Sequence, residues 1–311
     1  MYTFGMKATE FSYIADDGKS IHVYRWAPEL KPKACLLVAH GMAEHAARYA
    51  RLAEKLTKAG YEVWAPDHRG HGKTAAEGEL GWFADRAGFR RVIDDLHGLA
   101  RRCKQELPGT KSFLMGHSMG SFLSQGFITL YGNEIDGCIL SGTGLNRGAL
   151  LGVARLIAAL GCTFKGQKRP TPMMNSMSFG AFNKAFEPNR TAFDWLSRDP
   201  AEVDKYIKDP LCGFVVTFGL FRDLLAGFKW IDRPKSFATI PKNLPLYLFA
   251  GQKDPVGAAT GAFALLQRSY QTAGIVDIET KLYPDGRHEM LNDTVRDEVS
   301  ADIQSWLDRH L

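Results

Sequence analysis

Apolar runs of five or six residues alternate along this chain with segments whose apolar residues recur every three or four positions. The runs are typical of buried strands, such as Ala34 to Ala39. The periodic segments are typical of helices, such as the one that carries Phe89, Val92 and Leu96. Short apolar strands that alternate with helices indicate a mostly parallel sheet covered on both faces. The sequence therefore predicts an α/β fold.

The start of the chain does not follow this alternation of strands and helices. Two strand-like stretches, Glu10 to Ala15 and Ser20 to Ala27, lie on either side of Asp16 to Lys19, which contains Asp-Gly. Asp-Gly between extended runs is typical of a hairpin, because both residues tolerate positive φ. We therefore expect an antiparallel pair of strands before the parallel part of the sheet.

The alternation is also interrupted. From about Leu145 to Ile240 no strand of the same kind is present, and helix-like segments such as Val215 to Phe228 are separated by loops rich in Pro and Gly. The strand pattern resumes at Leu244 to Ala250. We predict a discontinuous α/β core made of residues 1–144 and 241–311, with a helical cap inserted at residues 145–240.

Composition narrows the class of protein. A chain of 311 residues that is 45% hydrophobic can bury a large core. The net charge of +5 is mild and the basic residues are interleaved with acids, so we predict no nucleic-acid partner.

The five cysteines are scattered without a CxxC pair, which indicates free thiols in a reducing compartment. No stretch could span a bilayer and no export signal is evident, so a cytoplasmic location is expected.

A nucleophile is predicted at Ser118. Gly116-His117-Ser118-Met119-Gly120 is a G-x-S-x-G motif between a predicted strand and a predicted helix. Such a turn holds its serine in a strained backbone and projects the hydroxyl above the sheet edge. The glycines are expected because a Cβ at either position would crowd the neighbouring strand and helix.

A serine hydroxyl needs a base, and the base needs an acid that fixes its tautomer. His288 and Asp254 each follow a predicted strand, in the order serine, acid, histidine. Asp285 is too close to His288 in sequence to face it easily. We predict Ser118, His288 and Asp254 as nucleophile, base and orienting acid.

The loop after the first apolar strand, His40-Gly41-Met42, is where a backbone N–H can stabilise a developing oxyanion. The predicted donors are the backbone amides of Met42 and Met119. Glu44 and Arg48 in the same loop have the i,i+4 spacing of a local ion pair. The spacing of His40, His45, His68 and His71 fits no zinc pattern, so neither a metal nor another cofactor is expected.

These motifs resemble those of one family. The sequence from Val38 to His45, the segment Pro66 to Gly72, the serine turn, and the loops that carry Asp254 and His288 are similar to those of the monoacylglycerol lipase and lysophospholipase group of α/β-hydrolases, a serine aminopeptidase-like family. Segments such as Asp194 to Asp199 resemble the cap of bacterial members. Ser121 departs from the family, whose members often have a third glycine there.

The resemblance implies an α/β-hydrolase that cleaves monoacylglycerols, lysophospholipids or other single-chain esters. The leaving group stays open among glycerol, glycerophosphocholine and a simple alcohol. Phenylalanines and leucines in the insertion are expected to pack the cap and to line an acyl-chain site. Ala149 to Leu160 is apolar enough for a transient contact with a lipid surface. An esterase, thioesterase or peptidase for small non-lipid substrates is the alternative, and a non-catalytic receptor on the same fold is a second one.

Overall fold

The computed structural model describes residues 6–145 and 149–311. The first five residues of the chain, and residues 146–148 near the start of the predicted insertion, lie outside the described parts. Eight strands form one sheet: β1 (Met6–Ile14), β2 (Ser20–Pro28), β3 (Ala34–Ala39), β4 (Tyr61–Pro66), β5 (Lys111–His117), β6 (Gly137–Ser141), β7 (Leu246–Gly251) and β8 (Ile278–Tyr283).

The order of the strands across the sheet is β1-β2-β4-β3-β5-β6-β7-β8. The predicted hairpin is confirmed, since β1 and β2 pair antiparallel around the Asp-Gly turn. β2 also pairs antiparallel with β4, and every later neighbour pairs parallel. The sheet is therefore open and mostly parallel, as the sequence predicted.

Eleven α-helices are present in the described residues. They are α1 (Ala50–Lys58), α2 (Gly88–Glu106), α3 (Met119–Tyr131), α4 (Ala149–Lys165), α5 (Pro172–Asn175), α6 (Ala181–Lys184), α7 (Pro200–Lys208), α8 (Phe218–Ile231), α9 (Pro234–Thr239), α10 (Ala262–Thr272) and α11 (Arg296–Arg309). Helices α4 to α9 all lie between β6 and β7 in the chain. In the described part of residues 145–240 the one β contact is an isolated bridge between Pro170 and Thr217.

The two faces of the sheet bury separate cores, because successive strand side chains point to opposite sides. In β3, Leu37 packs in a core formed with α2, α3 and α8. Its neighbours Leu36 and Val38 pack on the other face with α1 and α11. Every residue of β3 is buried, which explains why its sequence is continuously apolar.

Several predicted element boundaries were wrong by a few residues, among them the start of β1, which is Met6 instead of Glu10. Helix α8 begins at Phe218 instead of Val215, because the Thr217 side chain accepts the N–H of Leu220 at 3.2 Å and caps the helix there. Strand β7 begins at Leu246 instead of Leu244, because its pairing with β6 starts at Leu246. None of the described helices combines the length and the hydropathy needed to cross a membrane.

Candidate active site

The predicted nucleophile lies at the turn between β5 and α3. Ser118 has φ 51° and ψ −119°, a left-handed backbone that an L-residue with a side chain rarely adopts. A Cβ added at Gly120 would lie 2.0 Å from the carbonyl oxygen of Ala39, and one at Gly116 would lie 2.3 Å from that of Gly120. The predicted need for both glycines is confirmed. The strained turn is held by close packing on both sides.

The predicted base and acid meet after β7 and β8. His288 Nδ1 lies 2.9 Å from Asp254 Oδ1, and both side chains are buried. The same carboxylate oxygen accepts the N–H of Val256 at 2.9 Å, which fixes its orientation. Asp254 can therefore hold the proton of His288 on Nδ1 and leave Nε2 free to accept one.

The structure brings Ser118 and His288 to one pocket, which both side chains line. Burial by itself would lower the pKa of His288, but the adjacent Asp254 carboxylate outweighs it and the pKa is raised. The rival acid Asp285 lies instead on the surface, paired with Lys253 at 2.8 Å.

A second imidazole lies beside His288. The rings of His117 and His288 have centroids 4.7 Å apart, and His117 Nδ1 is 3.1 Å from Ser141 Oγ. Burial, with a contribution from His288, lowers the pKa of His117 to about 4. His117 is consequently neutral near pH 7 and does not add a positive charge next to His288.

The two predicted oxyanion donors are Met119, directly after Ser118, and Met42, in the loop after β3. Met119 begins α3, so its backbone N–H has no acceptor within the helix. Within the described residues, neither this amide nor that of Met42 donates a hydrogen bond to another protein group. Both residues line a cavity that Ser118 also lines. Two free N–H groups beside the hydroxyl are what a developing oxyanion requires.

The loop that carries Met42 is fixed by a buried carboxylate. Glu44 Oε1 accepts the N–H of Gly41 at 2.5 Å and the hydroxyl of Tyr49 at 3.0 Å. Burial by itself would raise the pKa of Glu44, but Arg48 outweighs it and the pKa is lowered. The predicted ion pair between Glu44 and Arg48 is confirmed.

Arg48 has a second partner that sequence reasoning missed. Its guanidinium also binds Glu289, the residue directly after His288. The sequence shows an acidic residue in the histidine loop, but nothing in it indicates which cation lies opposite. Arg48 thus connects the loop of the predicted oxyanion donor with the loop of the predicted base.

Trp195 packs on the predicted base from the segment between β6 and β7. Its ring centroid lies 4.9 Å from that of His288, and its carbonyl accepts the His288 N–H at 3.3 Å. The next carbonyl, that of Leu196, accepts the N–H of Glu289 at 2.7 Å. The sequence indicated Trp195 only as part of the segment Asp194 to Asp199 and gave it no role at the site.

The four histidines considered as a metal cluster divide into two groups. The ring centroid of His40 lies 4.2 Å from that of His68 and 5.2 Å from that of His71. His40 Nε2 accepts the backbone N–H of His68 at 2.9 Å, and burial lowers the pKa of all three rings. His45 instead pairs with Asp209.

The fold is that of the α/β-hydrolases. A carboxyl esterase from Bacillus coagulans, solved in complex with glycerol, aligns with a TM-score of 0.89 and 29% identity, over 98% of this chain and 99% of the esterase. The chain belongs to the Hydrolase_4 family, serine aminopeptidase S33, which it matches over residues 30–295.

Among its relatives is the monoacylglycerol lipase of Mycolicibacterium smegmatis, 29% identical over 97% of this chain and 98% of the lipase. Human monoglyceride lipase is also 29% identical, over 94% of this chain and 88% of its own length. The family resemblance inferred from the motifs is confirmed.

Proposed function

We propose that the protein is a serine hydrolase that cleaves the ester bond of monoacylglycerols through an acyl-enzyme on Ser118. The observation that carries this proposal is that Ser118 lines two cavities, a larger one with mostly apolar walls and a smaller one that also contains His288 and two buried carboxylates. Four residues line both cavities, and they are Met42, Ser118, Phe179 and Trp195. An ester with one apolar and one polar end matches such a junction.

The larger cavity suits a single acyl chain. Its volume is about 450 Å³, within the range of small-molecule sites. Apart from Ser118, Ser178 and Thr260, its walls are apolar. They come largely from α3, the segment around α5 and α6, and α8, with Phe122, Met174, Phe182, Leu224, Leu225 and Phe228 among them. Burial of each methylene here contributes about 0.8 kcal/mol.

The smaller pocket favours glycerol as the leaving group. Two buried carboxylates, Glu44 and Glu289, line it together with Asn175. Glycerol hydroxyl groups can donate hydrogen bonds to such acceptors. The phosphodiester of a lysophospholipid would bring a negative charge towards these two carboxylates, which share the single positive charge of Arg48, and this selects against it. The similar esterase solved with glycerol supports the same choice.

In the proposed reaction Ser118 Oγ attacks the ester carbonyl while His288 Nε2 takes its proton and Asp254 orients the ring. The amides of Met42 and Met119 stabilise the tetrahedral oxyanion. His288 then protonates the departing glycerol. Water repeats the sequence on the acyl-enzyme and releases the fatty acid, so no cofactor is required.

The test compares substrates and a nucleophile variant. We expect faster hydrolysis of a long-chain monoacylglycerol than of a lysophosphatidylcholine with the same chain. We expect no hydrolysis of an aminoacyl anilide. Ser118→Ala should lower kcat about 10⁶-fold and abolish labelling by a fluorophosphonate, whereas Ser305→Ala on the exposed face of α11 should change neither. Activity retained by the Ser118→Ala protein would refute the assignment, and a preference for the phospholipid or peptide would refute the substrate.

We further propose that residues 145–240 act as a cap inserted into a core of residues 1–144 and 241–311. This segment supplies most walls of the larger cavity, through residues such as Met174, Phe182 and Phe228. It also contacts the histidine loop, where Arg198 binds Asp293 with N–O distances of 2.8 and 2.6 Å.

A transient contact of the cap with lipid surfaces is part of the same proposal. Helix α4 lines the larger cavity through Ala154 and leaves a stripe of large apolar side chains in solvent, at Val153, Leu156, Leu160 and Phe164. These positions share one helix face. Lys165 and Arg169, both exposed, follow the stripe and suit anionic headgroups. We also propose a cytoplasmic location, which the absence of any disulfide among the five cysteines supports.

A further inference from the structure

A group of three potential metal ligands lies beside the predicted oxyanion loop. His45, Asp209 and Cys212 each contribute one donor atom, and these three atoms lie within 4.8 Å of one another. His45 and Cys212 are buried, and the Cys212 thiol is free. None of the three takes part in the proposed ester hydrolysis.

The local backbone holds the donors together. The N–H of Cys212 donates to the carbonyl of Asp209 at 3.0 Å, and the carboxylate of Asp209 accepts the N–H of Leu211 at 2.9 Å. This turn places two of the three donor residues next to each other. The N–H of Gly213 then donates to the carbonyl of Ala43 at 2.9 Å, which fixes the turn against the loop that carries His45.

One ring nitrogen of His45 is paired within the group and the other has no partner. Its Nε2 lies 2.8 Å from Asp209 Oδ2, while its Nδ1 is buried without a hydrogen-bond partner in the described parts of the chain.

We propose that His45, Asp209 and Cys212 bind one soft divalent cation, of which Zn²⁺ is the physiological example. Imidazole nitrogen, carboxylate oxygen and thiolate sulfur are the ligand types of zinc, whereas Mg²⁺ and Ca²⁺ prefer oxygen alone. Tetrahedral zinc at its usual bond lengths places donor atoms about 3.3 to 3.8 Å apart, so small side-chain rotations suffice. The sequence had indicated no metal at His45.

The charges of the three groups and their exposure to solvent suit a bound cation. Thiolate and carboxylate together neutralise Zn²⁺. The nearby Arg48 adds no net positive charge, because its guanidinium is bound by both Glu44 and Glu289. The Asp209 side chain is 30% exposed, which gives the ion a path from solvent and leaves room for a water as fourth ligand.

The test uses the full chain without a histidine tag, freed of metal by a chelator. Zn²⁺ is titrated in competition with a chromophoric chelator, and Cd²⁺ is added separately to detect thiolate-to-metal charge-transfer absorption. We expect one ion per chain and a charge-transfer band in the wild type. Loss of a residue that only hydrogen-bonds to a metal ligand weakens metal binding roughly 10- to 100-fold. Cys212→Ser and Asp209→Asn remove ligands themselves and should weaken Zn²⁺ binding by more than that. Cys162→Ser, which removes a half-buried thiol on α4, should bind as the wild type does.

A third measurement does not depend on whether the variants fold. In the wild type, Zn²⁺ should slow the alkylation of Cys212 and raise the melting temperature. It should leave the alkylation rate of Cys162 unaffected. The proposal is overturned if the wild type binds no ion at a ratio of one, if Cys212→Ser keeps the Cd²⁺ band, or if Zn²⁺ leaves the alkylation of Cys212 unchanged. Each readout measures binding directly, so its failure is distinct from a failure of the proposed hydrolysis.

Discussion

The guanidinium of Arg48 binds both carboxylate oxygens of Glu289, with N–O distances of 2.8 and 2.6 Å. The same guanidinium binds Glu44, which accepts the N–H of Gly41 in the predicted oxyanion loop. Since Glu289 directly follows His288, one buried cation fixes the relative position of two loops that the proposed mechanism requires.

Loss of this pair should destabilise the protein strongly. We expect Glu289→Ala to lower the free energy of unfolding by about 3 kcal/mol, because the buried Arg48 would lose one of its two carboxylates. Urea denaturation measures the effect. Glu279→Ala is the matched control, since its pair with Arg309 lies on the surface and should contribute about 1 kcal/mol or less. Equal losses in the two variants would show that the Arg48 pair has no special role.

Asp254→Asn should lower kcat by about 10⁴-fold, because an amide favours the wrong tautomer of His288. The rate of hydrolysis of a soluble ester provides the measurement. Asp285 lies in the same loop as His288 but is exposed, so Asp285→Asn should leave kcat unchanged. If Asp285→Asn were the damaging change, the acid would have been assigned to the wrong residue.

The pH dependence of kcat/KM should report His288. Its neutral form is the base, and its pKa is raised above 6.5 because Asp254 outweighs the effect of burial. Activity should therefore fall as the pH is lowered through a midpoint above pH 6.5. In the Asp254→Asn protein the residual activity should persist to lower pH. A wild-type midpoint below pH 6.5 would contradict the proposed coupling.

Chain length should determine the rate until the larger cavity is full. If each methylene contributes about 0.8 kcal/mol, kcat/KM rises about fourfold per carbon of the acyl chain. Leu225→Trp fills part of the cavity and should move the optimum to shorter monoacylglycerols. Leu282→Trp, on the exposed side of β8, is the control and should keep the wild-type optimum. An unchanged optimum in Leu225→Trp would place the acyl chain elsewhere.

The exposed stripe on α4 should govern binding to lipid surfaces. Replacement of Leu156 and Phe164 by Glu should abolish sedimentation with vesicles that contain anionic lipid, while hydrolysis of a soluble short-chain ester continues. Leu30→Glu, which changes a side chain of similar exposure before β3, should leave vesicle binding intact. If the protein with Glu at positions 156 and 164 still bound vesicles, this face of α4 would not be the lipid-binding surface.

Much of the fold could be predicted because its signals are local. Each strand of the parallel sheet is buried on both faces and reads as an apolar run, as in β3. The five-residue motif by itself indicated where the strained Ser118 lies, although the contact that requires Gly120 is made with Ala39 on a distant strand. The ends of elements were less certain, as at Thr217, where one side-chain hydrogen bond decides where the helix begins.

By itself the sequence determined the order of strands and helices, the turn that presents Ser118, and the loops from which His288 and Asp254 come. Only the tertiary structure decided that Arg48 meets Glu289, 241 positions away, and that Ser118 lines both a larger apolar cavity and a smaller pocket with two buried carboxylates. The physical reason is that periodicity and turn chemistry depend on near neighbours. A cavity or a buried ion pair exists only once distant segments converge at the carboxyl edge of the sheet.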